Sequence, residues 1–497
     1  MLEPIAGTLD GLEWVAGVVI LLPLIGAVVP IAASVRERRI GWPFAVAVLT
    51  LTFVLALVLS ATVLLTGSVQ YELGGIAAPY GIELFVDEFT IVVILLDSLV
   101  AGGVLVYTRT AGPRGNAFYS CFLLLVGGMI GITVTADLFN LYVFLEIMGL
   151  SSYALVASSN SRWSTYAALK YLLVGTVGAT FYLLGVAYLF AATGTLNMAD
   201  LSVRITEVGY TEPLVVSAFV LLTLGLAIKI ALFPVHTWLA DAHASAPDGI
   251  SAMISALVPA VAVYAFARVF FSVFGVEFLA ANPLVAQGVL YGALFSLFAG
   301  SVFALLQRHI KLVLAYSTVS QFGLVVAGFA VANETAAFGA ILQMFGHGIV
   351  KGALFVLAGM FALRFDGART LPEYAGLAKR APVMGFAFAA LAVAMVGLPP
   401  TVGFFGKWYI AVGAIEAGHP IVAVLVLVST LLSLGYIVPF VNQLYFRPFA
   451  AEIDDPDAIT RWMVVAVVVA AGISLLLGLA SGGMETVLRS AVEGLVG

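Results

Sequence analysis

The chain has 497 residues, 62% hydrophobic and 10% charged, with a mean hydropathy of +1.13, a balance that excludes a soluble globular protein and defines a polytopic membrane protein. A net charge of −6, from 27 acidic against 21 basic residues, excludes a nucleic-acid-binding role. The single cysteine, Cys121, falls in an apolar run, so no disulfide framework and no cysteine-built iron–sulfur or zinc site is expected, nor any cofactor or metal.

Apolar runs of about 20 residues or more fall at 13–34, 42–66, 86–109, 116–135, 137–158, 165–193, 213–240, 249–273, 283–306, 309–331, 336–364, 382–413, 420–447 and 459–480. They predict an all-α protein of about 14 transmembrane helices, spans one to fourteen in chain order. No basic segment and no small-residue cleavage site precedes the first run, so it is expected to stay as a span rather than be removed as a signal peptide. The loops after odd-numbered spans hold fourteen of the 21 Lys and Arg residues, against three on the opposite side, Arg204, Arg268 and Arg489. The other four, Lys170, Lys229, Lys351 and Lys407, fall inside spans. Because basic loops stay cytoplasmic, both termini are predicted outside a cell membrane.

In chain order, the acidic, Gly- and Pro-containing stretch from Tyr71 to Glu88 predicts an external cap of strand-like or irregular structure. Span three carries Asp97 about ten residues past Asp87, roughly 15 Å along a helix and therefore near mid-membrane. A bonded interior carboxylate and a sodium ligand are equally open for it. Span five carries Glu146 about nine residues, or ~13 Å, beyond Asp137. An isolated carboxylate at that depth must take a proton or a cation, which is the behaviour a proton site requires. Asp137 points to the opposite side of that helix and fits an N-cap. Lys170, about six residues inside span six, either bridges Glu146 to the cytoplasmic side through water or snorkels to the headgroups.

Span seven contains GLAIKIALFPVHTWLADAHASAP, Gly225 to Pro247. Placing the Lys229 ammonium in a bilayer costs roughly 2.5–3.5 kcal/mol, so it marks an ion or proton path facing a protein interior. Pro234 lacks an N–H and frees the Ile230 carbonyl, so the helix should break just past the lysine. His236 and His243 lie near the end of that helix and read first as structural hydrogen-bonders. In span eleven His347 and Lys351 are spaced i, i+4 and share one helix face, two adjacent groups with exchangeable protons. Span twelve reads VGLPPTVGFFGKWYI, where Pro399 and Pro400 break the helix and Lys407 stands near the break. Two broken helices with a lysine each point to an inverted-repeat transporter. The expected division is 1–115 for the N-terminal spans and external loop, 116–273 for a first five-helix repeat (spans four to eight), 283–447 for a second (spans nine to thirteen), and 448–497 for the C-terminal loop and span fourteen. The loop RPFAAEIDDPDAITR reads as cytoplasmic, and no long lateral amphipathic helix is expected after span fourteen.

The run IKIALFPVHTWLADAHASAP is similar to the seventh-helix signature of the antiporter-like membrane proteins, the large subunits of Mrp-type Na⁺/H⁺ antiporters and the proton-pumping subunits of respiratory complex I. MIGITVTADLFNLYVFLEIMGLSSYALVA, with Glu146, and TGTLNMADL, Thr193 to Leu201, resemble the D subunit of the Mrp antiporters in particular. QRHIKLVLAYSTVSQFGLV and QMFGHGIVKGALFVLAG match the family as a whole. The resemblance covers nearly the whole chain and implies a non-enzymatic subunit of a hetero-oligomeric antiporter in the cell membrane. It implies that protons, exchanged for Na⁺, move along Glu146, Lys229, His347, Lys351 and Lys407, with Lys170, His236 and His243 as accessory candidates; Asp97, an acid outside the family pattern, is an accessory candidate from its depth in span three alone. The chain departs from the pattern in span eight, where relatives usually carry a Lys or His and this sequence has Ala260. The same resemblance leaves open a proton-pumping arm of a redox-driven complex, such as an NADH/quinone dehydrogenase or a membrane-bound hydrogenase, and a non-conducting scaffold subunit.

Overall fold

The computed structural model describes residues 11–449 and 459–496. The first ten residues, most of the acidic loop before span fourteen and Gly497 lie outside the described residues, and so does what the sequence predicts for them. Among the described residues, thirteen helices are long and apolar enough to cross a membrane. The remaining expected span, the twelfth, is present as two pieces, Pro382–Val396 and Val402–Glu416. Spans one to six run Val15–Ser34, Gly41–Thr66, Glu88–Thr108, Asn116–Val134, Leu138–Ala157 and Arg162–Thr193. Span seven is Pro213–Ile230 continued by Thr237–Ser245, and span eight is Asp248–Ala281. Spans nine to eleven are Pro283–Leu305, Ile310–Ala330 and Glu334–Arg364, and spans thirteen and fourteen are Pro420–Phe446 and Arg461–Leu479.

Short polar residues start these helices where the sequence places them. Asp87 accepts from the Thr90 amide (2.9 Å) at the head of span three, and Asp137 from the Asn140 amide (2.7 Å) at the head of span five, as expected of an N-cap. Ser161 and Ser164 cap span six reciprocally. Between spans two and three, β1 (Val69–Glu72) pairs antiparallel with β2 (Glu83–Val86), with Val69 opposite Val86 and both buried. The loop expected outside is therefore a hairpin. A short lateral helix, Met198–Val208, is capped by Asn197, whose amide also donates to Glu83 (2.8 Å) and ties the helix to the hairpin.

Burial is graded across the bundle. The most apolar stretch of span eight is 100% buried and those of spans ten and eleven 89%, against 22% for span fourteen. A polar side chain on spans eight, ten or eleven therefore has no lipid to escape to and must be satisfied by protein or water. Small residues permit the tightest approaches: a Cβ on Gly225 of span seven would lie 2.7 Å from the Gly178 carbonyl oxygen of span six.

Two elements differ from expectation. Span eight was expected to end near residue 273 but continues to Ala281, is interrupted at Leu257 two residues before Pro259, and forms a π-helical turn over Arg268–Phe274. Arg268, counted from sequence among the external loop charges, is buried in that turn, where it pairs with Asp87 and donates to the Tyr264 hydroxyl (2.9 Å). Burial alone raises the Asp87 carboxyl, but the charge and hydrogen bond of Arg268 together with the hydrogen bonds of Thr90 outweigh it and hold the group below the usual aspartate value. After span fourteen an amphipathic helix, Ser481–Val496, buries Leu488, Ala491, Val492 and Leu495 at i, i+3, i+4 and i+7. Only one of its faces is apolar, so a search for continuous apolar runs passes it over.

Candidate functional site

The break in span seven positions the first group. The helix stops at Ile230, Ala231 turns into the left-handed region (φ 64°), and helix resumes only at Thr237, past Pro234. Lys229 is thereby held in the last helical turn, its side chain 3% exposed, with its ammonium 3.2 Å from Glu146 Oε1 on span five and 3.5 Å from the Tyr153 hydroxyl. Space for this triad comes from glycines. A Cβ on Gly149 would sit 3.2 Å from Lys229 Nζ, and one on Gly175 only 2.0 Å from the Tyr153 oxygen. The second piece of span seven is fixed by Trp238, which stacks on Tyr171 (ring centroids 3.8 Å apart) and donates to the Ile228 carbonyl (3.0 Å).

The second group spreads over spans ten to thirteen. Lys351 is fully buried and donates to the Leu314 carbonyl (2.8 Å) and to the Ser317 hydroxyl. One helical turn back, His347 packs edge-on to Phe322 and faces the Ser255 backbone of span eight. Gln343 donates to Gln321 (2.7 Å), leaving Gln321 Nε2, Gln343 Oε1 and His347 Nε2 buried without a protein partner among the described residues. These side chains line a cavity of about 10 Å³ that also touches Lys351, Val402 and Gly403. Its size and polarity suit one water with three partners. Beyond it, span twelve stops at Val396, Gly397 turns left-handed (φ 85°), and the helix restarts at Val402, past Pro399 and Pro400. Lys407 reaches back across that break to the Val396 carbonyl (2.7 Å) and to Thr430 of span thirteen (3.2 Å).

The remaining candidates fall elsewhere. Lys170 is paired with Asp241 at 2.6 Å. His236 stacks on Phe233 and Phe303 with Nδ1 unpartnered. His243 is fully buried against Phe355 of span eleven, its nearest charges Lys311 and Lys351, and neither ring nitrogen has a partner among the described residues. Asp97 is also fully buried, and neither of its oxygens has a partner among the described residues. Ala260 lies wholly inside the bundle.

Sequence reasoning missed several partners. Lys311, counted as a loop charge, is buried and pairs with Asp248 (3.2 Å), which also receives Arg369 (2.7 Å) and Tyr107 (3.3 Å). Tyr153, Gln321, Gln343 and Ser317 were likewise passed over. The run STVSQ, Ser317 to Gln321, carried the signal for the last group: four polar residues of five in a helix with no lipid-facing side.

These broken helices with buried lysines define a polytopic membrane protein of the antiporter-like class, and comparison with known proteins agrees. The profile of the NADH:quinone oxidoreductase/Mrp antiporter transmembrane family matches residues 135–433, and the chain belongs to that family. It is 39% identical over 449 residues (86% of this chain, 87% of the relative) to the NADH-quinone oxidoreductase subunit N of Desulforudis audaxviator (strain MP104C). It is 34% identical over 418 residues (84% and 83%) to the D subunit of the Na(+)/H(+) antiporter of Bacillus subtilis (strain 168). Among solved structures, a chain of the membrane-bound sulfane sulfur reductase, an archaeal respiratory membrane complex, matches with a TM-score of 0.89 at 28% identity over 97% of this chain and 98% of that one. A chain of the Mrp complex from Dietzia sp. DQ12-45-1b matches with a TM-score of 0.88 at 25% identity over 98% of each.

Proposed function

We propose that this chain is the proton-translocating subunit of a multisubunit Na⁺/H⁺ antiporter, set in the cell membrane with both termini outside and assembled with other membrane subunits. The observation that carries the reading is the Glu146–Lys229 ion pair at a helix break, inside a bundle where Lys311, Lys351 and Lys407 are likewise buried. While Glu146 is ionised it balances the Lys229 ammonium. Once Glu146 takes a proton, the ammonium is left uncompensated in an apolar interior, an arrangement that costs several kcal/mol and is relieved when the lysine releases its own proton. The released proton has acceptors towards the second group, where His243, His347, Lys351 and Lys407 follow across spans seven, eleven and twelve. Spans four to eight and nine to thirteen act as two inverted repeats, one around each broken helix, with residues 1–115 and 448–497 flanking them.

A second reading keeps the same path but drives it by electron transfer in a partner, and the 39% relative named as subunit N of an NADH-quinone oxidoreductase favours it. The two separate in sided membrane vesicles containing all partner subunits. Under the antiporter reading, a Na⁺ gradient moves protons without any electron donor, and Glu146→Gln stops it. Proton movement that requires NADH or another donor and ignores Na⁺ establishes the redox reading instead. No proton movement under either condition makes the chain a scaffold. In the same vesicles, a cysteine placed at Gly75 is labelled only from outside; labelling only from the cytoplasmic side overturns the orientation.

A further inference from the structure

Asp97 lies on span three, outside the stretch that matches the family profile, and no step above uses it. Its surroundings follow from how span three packs. Thr90, Asp97 and Val104 are seven residues apart, close to two helical turns, and so form one stripe. Both ends of that stripe touch span eight. The Thr90 hydroxyl is 2.8 Å from the Tyr264 hydroxyl, and a Cβ on Gly249 would lie 3.2 Å from a Val104 methyl. The two helices run antiparallel, so Asp97, midway along the stripe, is level with the midpoint of Gly249 and Tyr264. That point is Ala256–Leu257, where span eight is interrupted.

The interruption leaves polar backbone there. Pro259 has no N–H to give the Ser255 carbonyl, and His347 of span eleven faces the Ser255 backbone instead. Span eleven meets the same point. A Cβ on Gly348, next to His347, would lie 2.8 Å from a Leu96 methyl and 3.2 Å from the Ala256 carbonyl oxygen, so spans three, eight and eleven converge within one side chain's width. One turn on, a Cβ on Gly352, next to Lys351, would lie 3.2 Å from Val100. Among the described residues, two of the titratable groups at this junction, Asp97 and His347, have buried atoms without partners, and the third, Lys351, is held by neutral groups alone. The charged groups of span eight packed along span three are already engaged at its ends, Arg268 with Asp87 and Asp248 with Lys311 and Arg369. Spans two, four and fourteen bring no charged residue to this stripe.

We propose that Asp97 is a proton-binding site of the path, supplying from span three the exchangeable group that span eight lacks at Ala260 and passing its proton to span eleven. The inference rests on the proton-translocation reading above. A carboxylate buried without a partner is unsupportable in its charged form, so at rest Asp97 holds its proton. Transfer breaks the carboxyl O–H bond while a nitrogen lone pair of His347 or Lys351 takes the proton. The carboxylate and the cation so formed compensate each other. Sodium would need several oxygen ligands, and beside Asp97 the Ser98 hydroxyl is the one side-chain oxygen adjacent on its own helix, so protection by Na⁺ is one of the outcomes tested below.

The test is dicyclohexylcarbodiimide modification of the assembled complex in vesicles, mapped by peptide mass spectrometry, in wild type and in Glu146→Gln. The reagent attacks protonated carboxyls, and at about pH 8 ordinary aspartates, with pKa about 4, are ionised and unreactive. Modification of Asp97 is expected in both backgrounds, with proton movement slowed about 100-fold in Asp97→Asn and partly kept, with a displaced pH profile, in Asp97→Glu. An unmodified Asp97, protection of it by Na⁺ at constant pH, or an Asp97→Asn rate equal to wild type each overturns the proposal. If Asp97→Asn does not assemble, wild-type labelling and the Asp97→Glu pH profile decide it. Labelling needs no transport, so failure of the transport reading leaves its own distinct signature.

Discussion

The two broken helices hold their lysines in opposite ways. In span seven the Lys229 ammonium meets a carboxylate, Glu146, at 3.2 Å. In span twelve Lys407 meets no acid among the described residues, only the Val396 carbonyl and a threonine hydroxyl, and Lys351 likewise has a carbonyl and a hydroxyl. A carboxylate can be neutralised by a proton, so the first site has a switch. A carbonyl dipole cannot, and the one Lys407 uses sits at the C-terminal end of a helix piece, where the backbone dipole is permanently negative. On the proposed reading the first break changes its charge balance, and the second holds an amine against a constant field.

The largest effect should come from the switch. Glu146→Gln and Lys229→Ala are each expected to reduce proton movement to background in vesicles with all subunits present, with assembly intact, while Glu146→Asp keeps part of it at a displaced pH. Because the two act as a unit, the double variant should be no worse than either single one. Additive losses, or wild-type exchange in Glu146→Gln, would place the working site in the second half and erase the contrast.

A smaller effect, and of a different kind, is expected at the second break. Among the described residues Lys407 is the one side-chain donor to the Val396 carbonyl, so Lys407→Met leaves that carbonyl without it, a loss of about 1–3 kcal/mol of stability. Lys229→Met leaves behind Glu146, which can be protonated and stay in place. Thermal unfolding of the purified complex should therefore fall in Lys407→Met and stay near wild type in Lys229→Met. Lys407→Met is also expected to slow proton movement about 100-fold rather than abolish it. A reversed order of melting temperatures would show that the carboxylate, not the dipole, is the rigid partner.

That contrast was only half legible in the sequence. Span positions, both breaks, the capping role of Asp137 and the candidates Glu146, Lys229, His347, Lys351 and Lys407 follow from hydropathy, proline chemistry and charge placed where charge is costly. What those charges touch does not follow, because partners come from helices far apart in the chain: Lys170 with Asp241, Lys311 with Asp248, Arg268 with Asp87. Arg268 and Lys311 were misread for one reason. A basic residue at the end of an apolar run looks like loop charge unless its carboxylate is visible, and here each carboxylate stands at the head of another span. The interruption of span eight was missed although Pro259 was in view, since no charge stands at that break to draw attention to it.

The smallest expected effect tests whether the first site's geometry is set by space as well as by charge. Tyr153 is held within 3.5 Å of Lys229 by a floor without side chains, since a Cβ on Gly175 would meet its oxygen at 2.0 Å and its ring carbon at 2.9 Å. A contact that short cannot exist, so in Gly175→Ala the phenol must swing off the lysine, while Glu146 and Lys229 keep each other. Gly175→Ala is therefore expected to slow proton movement severalfold without abolishing it, and Tyr153→Phe by a similar factor. Combining the two should add little, because the alanine acts through the hydroxyl that phenylalanine lacks. Gly472→Ala on span fourteen, where a Cβ meets nothing within 4 Å, is the matched control and should transport as wild type. If Gly175→Ala matches that control, Tyr153 is packing rather than part of the site, and the first break depends on its ion pair alone.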